Sequence, residues 1–336
     1  MPHKAGVNTL HKLPREILPG MDVPRVTLAQ IEDAQARVKG VVTRTPLVPA
    51  SRSSPEGLFL KLECLQPTGS FKVRGAWNRM SRATPEEIRR GFVTVSAGNH
   101  GLAISWCGVR LGARCTVYVP EGAVSRKVQG IQALGAEIVR RPHSEIMESM
   151  TDDRMRNLGM TFVHPFADPY VVAGQGTIGL EILEDLPEVK SVVVPVGGGG
   201  LVNGIAQAIK AKNRKVEVYG VQAEGAAPLI RSLQTGRPEN VGEPHTIADG
   251  IGATMTYEYM LPLFKENLKK AFTVSDLEIK QAMKGLALES HVVAEPAGAS
   301  SLACAVKQSK ELPRPLVCVV SGGNADPRLL SEVLAG

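Results

Sequence analysis

Ser191-Val-Val-Val-Pro-Val196 runs straight into Gly197-Gly-Gly-Gly200-Leu201-Val-Asn-Gly204, and the reading of this stretch decides the fold. Its first half is a short, valine-rich apolar run bounded by turn formers, which reads as a strand buried on both faces. Its second half opens a segment of helical length, to about residue 212. A buried strand feeding a helix is half of a βαβ unit, so a parallel sheet covered by helices is predicted. The alternation continues in both directions. Upstream, Phe92 to Val95, Cys115 to Val119, Ala136 to Val139 and Thr161 to Val163 read as strands separated by helical segments, and Leu58 to Glu63 as a strand before them. Downstream, Val216 to Val221, Ala271 to Val274 and Leu316 to Val320 read as strands, with helices near 175 to 186, 276 to 290 and 296 to 307. A further helix starts at Thr27, a capping residue, and carries Leu28, Ile31, Ala34, Val38 and Val41 at helical spacing until Thr45-Pro46. The fold class is α/β, with open, mostly parallel twisted sheets and helices on both faces.

With 336 residues, 43% of them hydrophobic, the chain can bury a large core and suggests about two domains. The change of context near residues 91 and 163 places a small domain at 91–163, inserted into a larger one made of 24–90 and 164–336. Residues 1–23, with Pro2, Pro14 and Pro19, lack a sustained period and read as an N-terminal arm. The net charge of +6 is scattered without runs, and aromatics are only 4%, so the clustered basic footprint of a nucleic-acid protein is missing and no such partner is expected. No apolar stretch reaches membrane-spanning length. Cys64, Cys107, Cys115, Cys304 and Cys318 form no CxxC pair and sit mostly in apolar runs. They read as small buried hydrophobes in a reducing compartment, and the cytoplasm is the expected location.

Ligands of open α/β sheets bind beyond the carboxyl ends of strands, which directs attention to the loops after Val196, Val95 and Val320. Four glycines at 197 to 200 let several N–H groups converge on one anion at a helix N-terminus, where the dipole also favours negative charge. Phosphate is the natural guest. The spacing fits neither GxGxxG nor a P-loop, and the plain alternative is a tight turn with no ligand. After Val95, Ser96-Ala-Gly-Asn-His-Gly101 offers N–H groups, a hydroxyl and an amide that suit a carboxylate. His100 in it is a general base or a structural residue. Val320-Ser-Gly-Gly-Asn324 supplies a neutral hydroxyl at Ser321, and alone is only a turn. Pro67-Thr-Gly-Ser-Phe-Lys72-Val-Arg-Gly-Ala76 puts a lysine at a helix start, where it opposes the macrodipole. If shielded from water its pKa falls, making it a better nucleophile and base. A solvated side chain is the ordinary reading of an isolated lysine.

Taken together and in order, these segments resemble the fold-type II pyridoxal phosphate enzymes, closest to the threonine/serine dehydratase and serine racemase branch. The resemblance runs from about Val26 past Val320 and also rests on Ala-Gly-Gln-Gly-Thr at 173 to 177, Ala-Asp-Gly at 248 to 250 and Glu-Pro-Ala-Gly at 295 to 298. It implies the tryptophan synthase beta-like fold, with pyridoxal 5'-phosphate in the large domain. It further implies that Lys72 binds the cofactor aldehyde, that Gly197, Gly198, Gly199, Gly200 and Leu201 hold the phosphate, that Asn99 contacts the ring hydroxyl, that Phe71 packs beside the ring and that Ser321 faces the pyridine nitrogen. The substrate carboxylate would settle on Ser96, Ala97, Gly98, Asn99 and His100, and the freed Lys72 amine would take the Cα proton.

The implied activity is α,β-elimination from a 3-hydroxy amino acid such as L-threonine or L-serine, giving a 2-oxo acid and ammonia. Ala97 stands where racemases of the group carry a serine, which favours one-base chemistry. Gln222 and Pro228 stand where relatives have an acidic pair for Mg²⁺ or Ca²⁺, with Glu224 nearby, so no metal ligands are assigned. Leu102 replaces a common glutamine and is expected to alter the substrate pocket. A homodimer or homotetramer is implied. The alternatives are a serine racemase-like enzyme, a β-replacement enzyme of the cysteine synthase kind, and a non-catalytic amino-acid or phosphate-binding protein.

Overall fold

A computed structural model describes residues 23–51, 56–123, 126–150 and 154–336. The N-terminal arm up to residue 22 lies outside them. Among the described residues, ten strands form two sheets. The larger has the order β1-β2-β10-β7-β8-β9, from β1 (Leu47–Pro49), β2 (Leu58–Lys61), β7 (Ser191–Pro195), β8 (Glu217–Ala223), β9 (Lys270–Val274) and β10 (Leu316–Val319). The smaller has the order β5-β4-β3-β6, from β3 (Phe92–Val95), β4 (Cys115–Pro120), β5 (Glu137–Arg141) and β6 (Thr161–Phe162). Every ladder is parallel except β1 with β2, the short edge pair. The valine runs are buried throughout β3, β7 and β10, as a sheet covered on both faces requires.

The helices are α1 (Leu28–Val38), α2 (Lys72–Met80), α3 (Pro85–Arg90), α4 (Asn99–Leu111), α5 (Arg126–Ala133), α6 (His143–Glu148), α7 (Pro169–Asp185), α8 (Gly200–Lys212), α9 (Pro228–Thr235), α10 (Leu261–Asn267), α11 (Asp276–Glu289), α12 (Pro296–Lys307) and α13 (Pro327–Ala335). Thr27 caps α1 through a reciprocal capping box with Gln30, but α1 stops at Val38, so Val41 falls outside it, past Gly40 in the left-handed region. The helix expected near 175 begins at Pro169, with the Asp168 carboxylate accepting from the amides of Tyr170 and Val171. Ala173 to Thr177 thus lies inside a helix. Gly174 and Gly176 serve close packing there: a Cβ on Gly174 would meet Gly75 Cα of α2 at 2.6 Å, and one on Gly176 would meet the Gly204 carbonyl of α8 at 3.0 Å.

Two features place the functional loops. In the larger sheet β10 lies beside β7, so their carboxyl ends, leading to Ser321 and Gly197, emerge side by side. The strand-like bridge of Ser70 with Gly322, together with the Phe71 N–H donating to Ser321 O at 3.1 Å, ties the segment entering α2 to the same edge.

Candidate active site

Lys72 is the first residue of α2, as the sequence predicts, and it is partly buried. Its ammonium donates to the Pro165 carbonyl at 2.8 Å and lies 5.3 Å from the Phe71 ring centroid. Among the described residues no carboxylate pairs with it, and burial alone pulls its pKa down to about 8. Lys72 is therefore a partly deprotonated amine near neutral pH.

The tetraglycine turn adjoins it through a single residue. Phe166 follows Pro165, and its ring fills the space beside Gly198, where a Cβ would lie 2.3 Å from Cδ1. The Phe166 backbone crowds Gly200 in the same way, with its carbonyl oxygen 2.7 Å from the Cβ position. Gly199 has φ +99 and sits on Phe264, so only glycine fits there. The four residues lead into α8, with Leu201 buried in its first turn and the early N–H groups of the helix left for an anion.

Ser96, Ala97 and Gly98 form the non-helical entry to α4, with Gly98 as its cap. Ser96 Oγ accepts from the Gly98 N–H at 3.1 Å, and Ala97 packs against the core of the smaller sheet. Asn99 is held from two sides: its Nδ2 donates to Glu295 Oε1 at 2.5 Å, and its Oδ1 accepts from Asn324 Nδ2 at 2.9 Å. The loops after Val95 and Val320 therefore meet at Asn99. His100 is buried, and its Nε2 donates to the Val163 carbonyl at 3.1 Å. A carbonyl can only accept, so the ring proton is on Nε2, and the Nδ1 lone pair has no partner among the described residues. Burial, and next the charge of Lys72, push the His100 pKa well below the ordinary value, keeping the ring neutral. Ser321 is buried at the carboxyl end of β10. Ser70 Oγ, in the segment entering α2, is buried without a hydrogen-bond partner among the described residues.

Three placements differ from the sequence reading or go beyond it. Leu102 packs its Cδ1 against Gly130 of α5, at 3.1 Å from the Cβ position, which makes it a helix-packing residue. Gln222 is buried between the Val196 carbonyl and the Leu229 N–H, and Glu224 pairs with Lys307 at 3.1 Å. The segment His164-Pro165-Phe166 was missed, although it too follows the carboxyl end of a parallel strand, β6. His164 Nδ1 accepts from the amides of Phe166 and Ala167, and burial lowers its pKa to about 3, so it shapes the Pro165 carbonyl as a neutral ring. A separate cavity of about 820 Å³ touches Gly69, Gly323 and Asn324 from outside the loops and is lined by neither Lys72 nor the tetraglycine turn.

A partly buried amine with no counter-ion among the described residues, beside a glycine cradle at a helix start, fits an aldehyde that carries a phosphate. The family of pyridoxal-phosphate dependent enzymes matches this chain over residues 38–322. The chain belongs to that family. The "L-threonine ammonia-lyase" of Thermotoga maritima is 40% identical over 315 residues, covering 92% of this chain and 78% of that protein. The catabolic L-threonine dehydratase of Staphylococcus aureus is 37% identical, covering 92% of each. Among solved structures, maize serine racemase superposes with a TM-score of 0.85 at 32% identity, covering 92% of this chain and 97% of that one. The serine racemase of Dictyostelium discoideum does so with 0.81 at 35%, covering 90% and 99%, and a threonine deaminase of Solanum lycopersicum with 0.83 at 30%, covering 97% and 98%. The α/β architecture with two mostly parallel sheets is that of these structures.

Proposed function

We propose that this enzyme converts a small 3-hydroxy amino acid, L-threonine or L-serine, into a 2-oxo acid and ammonia by α,β-elimination. The observation that carries the reading is the Lys72 amine, partly buried, unpaired with any carboxylate among the described residues and one residue removed from the glycine turn. Pyridoxal phosphate, when bound through its aldehyde, withdraws electrons from the substrate's Cα and so acidifies its proton. The chain's own groups do the rest. Gly197 to Leu201 and the start of α8 hold the phosphate, Phe71 packs beside the ring, and Ser96 to His100 hold the substrate carboxylate. Ser321 offers the pyridine nitrogen a hydroxyl in place of a carboxylate, so no full positive charge is stabilised there. That choice suits a reaction whose electron pair departs with the Cβ hydroxyl. Lys72, with a pKa near 8, is matched to taking a proton from Cα near neutral pH.

Residues 91–163, carrying the smaller sheet, act in this proposal as a small domain against the remainder, 24–90 and 164–336. A homodimer or homotetramer in the cytoplasm belongs to the same proposal, and the five free, buried cysteines suit a reducing compartment. Ala97 leaves the loop facing the substrate without a second hydroxyl, which disfavours racemisation. The test is incubation with L-threonine, L-serine, and O-acetylserine plus sulfide. Release of 2-oxo acid and ammonia from the first two, in equal amounts, supports elimination. Formation of cysteine alone, or of D-serine without oxo acid, contradicts it.

A further inference from the structure

Lys127 belongs to none of the motifs that pointed to the site, yet its ammonium reaches the site's edge. It stands on α5, which packs with the smaller sheet, and its side chain is only 10% exposed. Its Nζ lies 2.9 Å from Glu295 Oε2 and 3.1 Å from Asp249 Oδ2. Both carboxylates belong to segments built on the core of the larger sheet: Glu295 stands at the N-cap position of α12, and Asp249 opens the turn Asp249–Ile251. The ion pairs therefore join the two sheets across the loop 96–98, and the lysine stem passes 3.8 Å from the Cβ position of Gly98.

Glu295 is the unusual member, because its side chain is 2% exposed and burial raises its carboxyl pKa despite the lysine. Its Oε1 presses on Gly322, where a Cβ would stand 2.3 Å away, and the same oxygen accepts from Asn99 Nδ2. A buried carboxylate aimed this way needs a counter-charge to stay ionised, and Lys127 is the cation in contact with it. We propose that Lys127 is a positioning residue for Asn99: by pairing with Glu295 across the two sheets it fixes the Asn99 amide, so that apposition of the sheets and orientation of this amide are one event. The inference rests on reading Asn99 as a contact of the cofactor.

The experiment compares Lys127→Met, Lys127→Arg and wild type in two forms. In cofactor-free protein, hydrogen exchange is followed over 126–133 and 246–252. In holoenzyme, the visible absorption of bound cofactor, kcat and KM are measured. Lys127→Met is expected to speed exchange in both segments, shift the absorption band and lower kcat by about 10- to 100-fold with a smaller change in KM, and Lys127→Arg to restore most of each. Unchanged exchange overturns the bridge. Faster exchange with an unchanged spectrum and kcat overturns the positioning role. If wild type binds no cofactor, the proposed function fails with it, and the exchange result alone still decides whether Lys127 joins the sheets.

Discussion

Lys72 and Arg74 stand two residues apart in the first turn of α2, and the protein treats their charges in opposite ways. The Arg74 guanidinium is fully buried and forks onto two carboxylates, Glu63 at 2.8 Å and Glu181 at 2.6 Å, with Thr177 Oγ1 at 3.1 Å. Lys61 completes the network, donating to Glu181 at 2.6 Å and to the Thr45 carbonyl at 2.7 Å. Burial pushes the Glu63 carboxyl up, but Arg74 and Lys61 outweigh it and hold the pKa below its usual value. The Lys72 amine has one carbonyl and no counter-ion among the described residues. A charge satisfied on every side ties α2 to α7 and to the segment after β2, whereas a charge left short of partners is free to change its protonation and its bonding.

The largest expected difference is in activity. Lys72→Ala should lower 2-oxo acid formation by about 10²- to 10⁴-fold, measured at saturating cofactor, while the protein remains folded by circular dichroism. Next comes stability. Arg74→Met takes the paired cation from buried Glu63 and leaves Glu181 with Lys61, and it should cost about 3–5 kcal/mol in denaturant unfolding, enough to threaten soluble expression. Lys72→Met should act in the other direction. With a native pKa near 8 against an ordinary 10.5, the lysine penalises the fold fully below pH 8, and the penalty disappears as pH rises toward the unfolded value. Cofactor-free Lys72→Met should therefore be more stable than wild type by about 1–3 kcal/mol at pH 7, and the gap should close between about pH 8 and 10.5. A gap that grows with pH would break the contrast between the two residues. The smallest effect concerns the glycine turn. Gly199→Ala must adopt φ +99 against Phe264, costing about 1–2 kcal/mol and weakening binding of inorganic phosphate in calorimetry.

Much of this was legible in the sequence, for physical reasons that can be named. Valine runs such as 192–194 suit a strand covered on both faces. Four adjacent glycines after such a strand imply backbone approached closely from several directions, as Phe166 and Phe264 now show. α7 begins six residues before the expected start near 175, and the signal for that start is Asp168-Pro169, a capping carboxylate followed by proline at the first helical position. The charge network was hidden for another reason. Glu181 is 107 residues from Arg74 in the chain, and a side chain's burial depends on which helix lies over it. The same holds for Lys127 and Glu295, whose pairing exists only once the segments carrying them are brought together in the folded chain. His164-Pro165-Phe166 is equally open to the strand-end rule, because Thr161 to Val163 reads as a strand, but it lacks the glycine clusters that draw attention to the loops after Val95 and Val196.

The central claim is that the amine of Lys72 carries the coenzyme. Reduction of the reconstituted holoenzyme with borohydride, followed by peptide mass mapping, measures this most directly. The phosphopyridoxyl mass should appear on the peptide containing Lys72 and on no other lysine. A protein that retains the coenzyme's colour but carries the reduced group on a different residue would contradict the account.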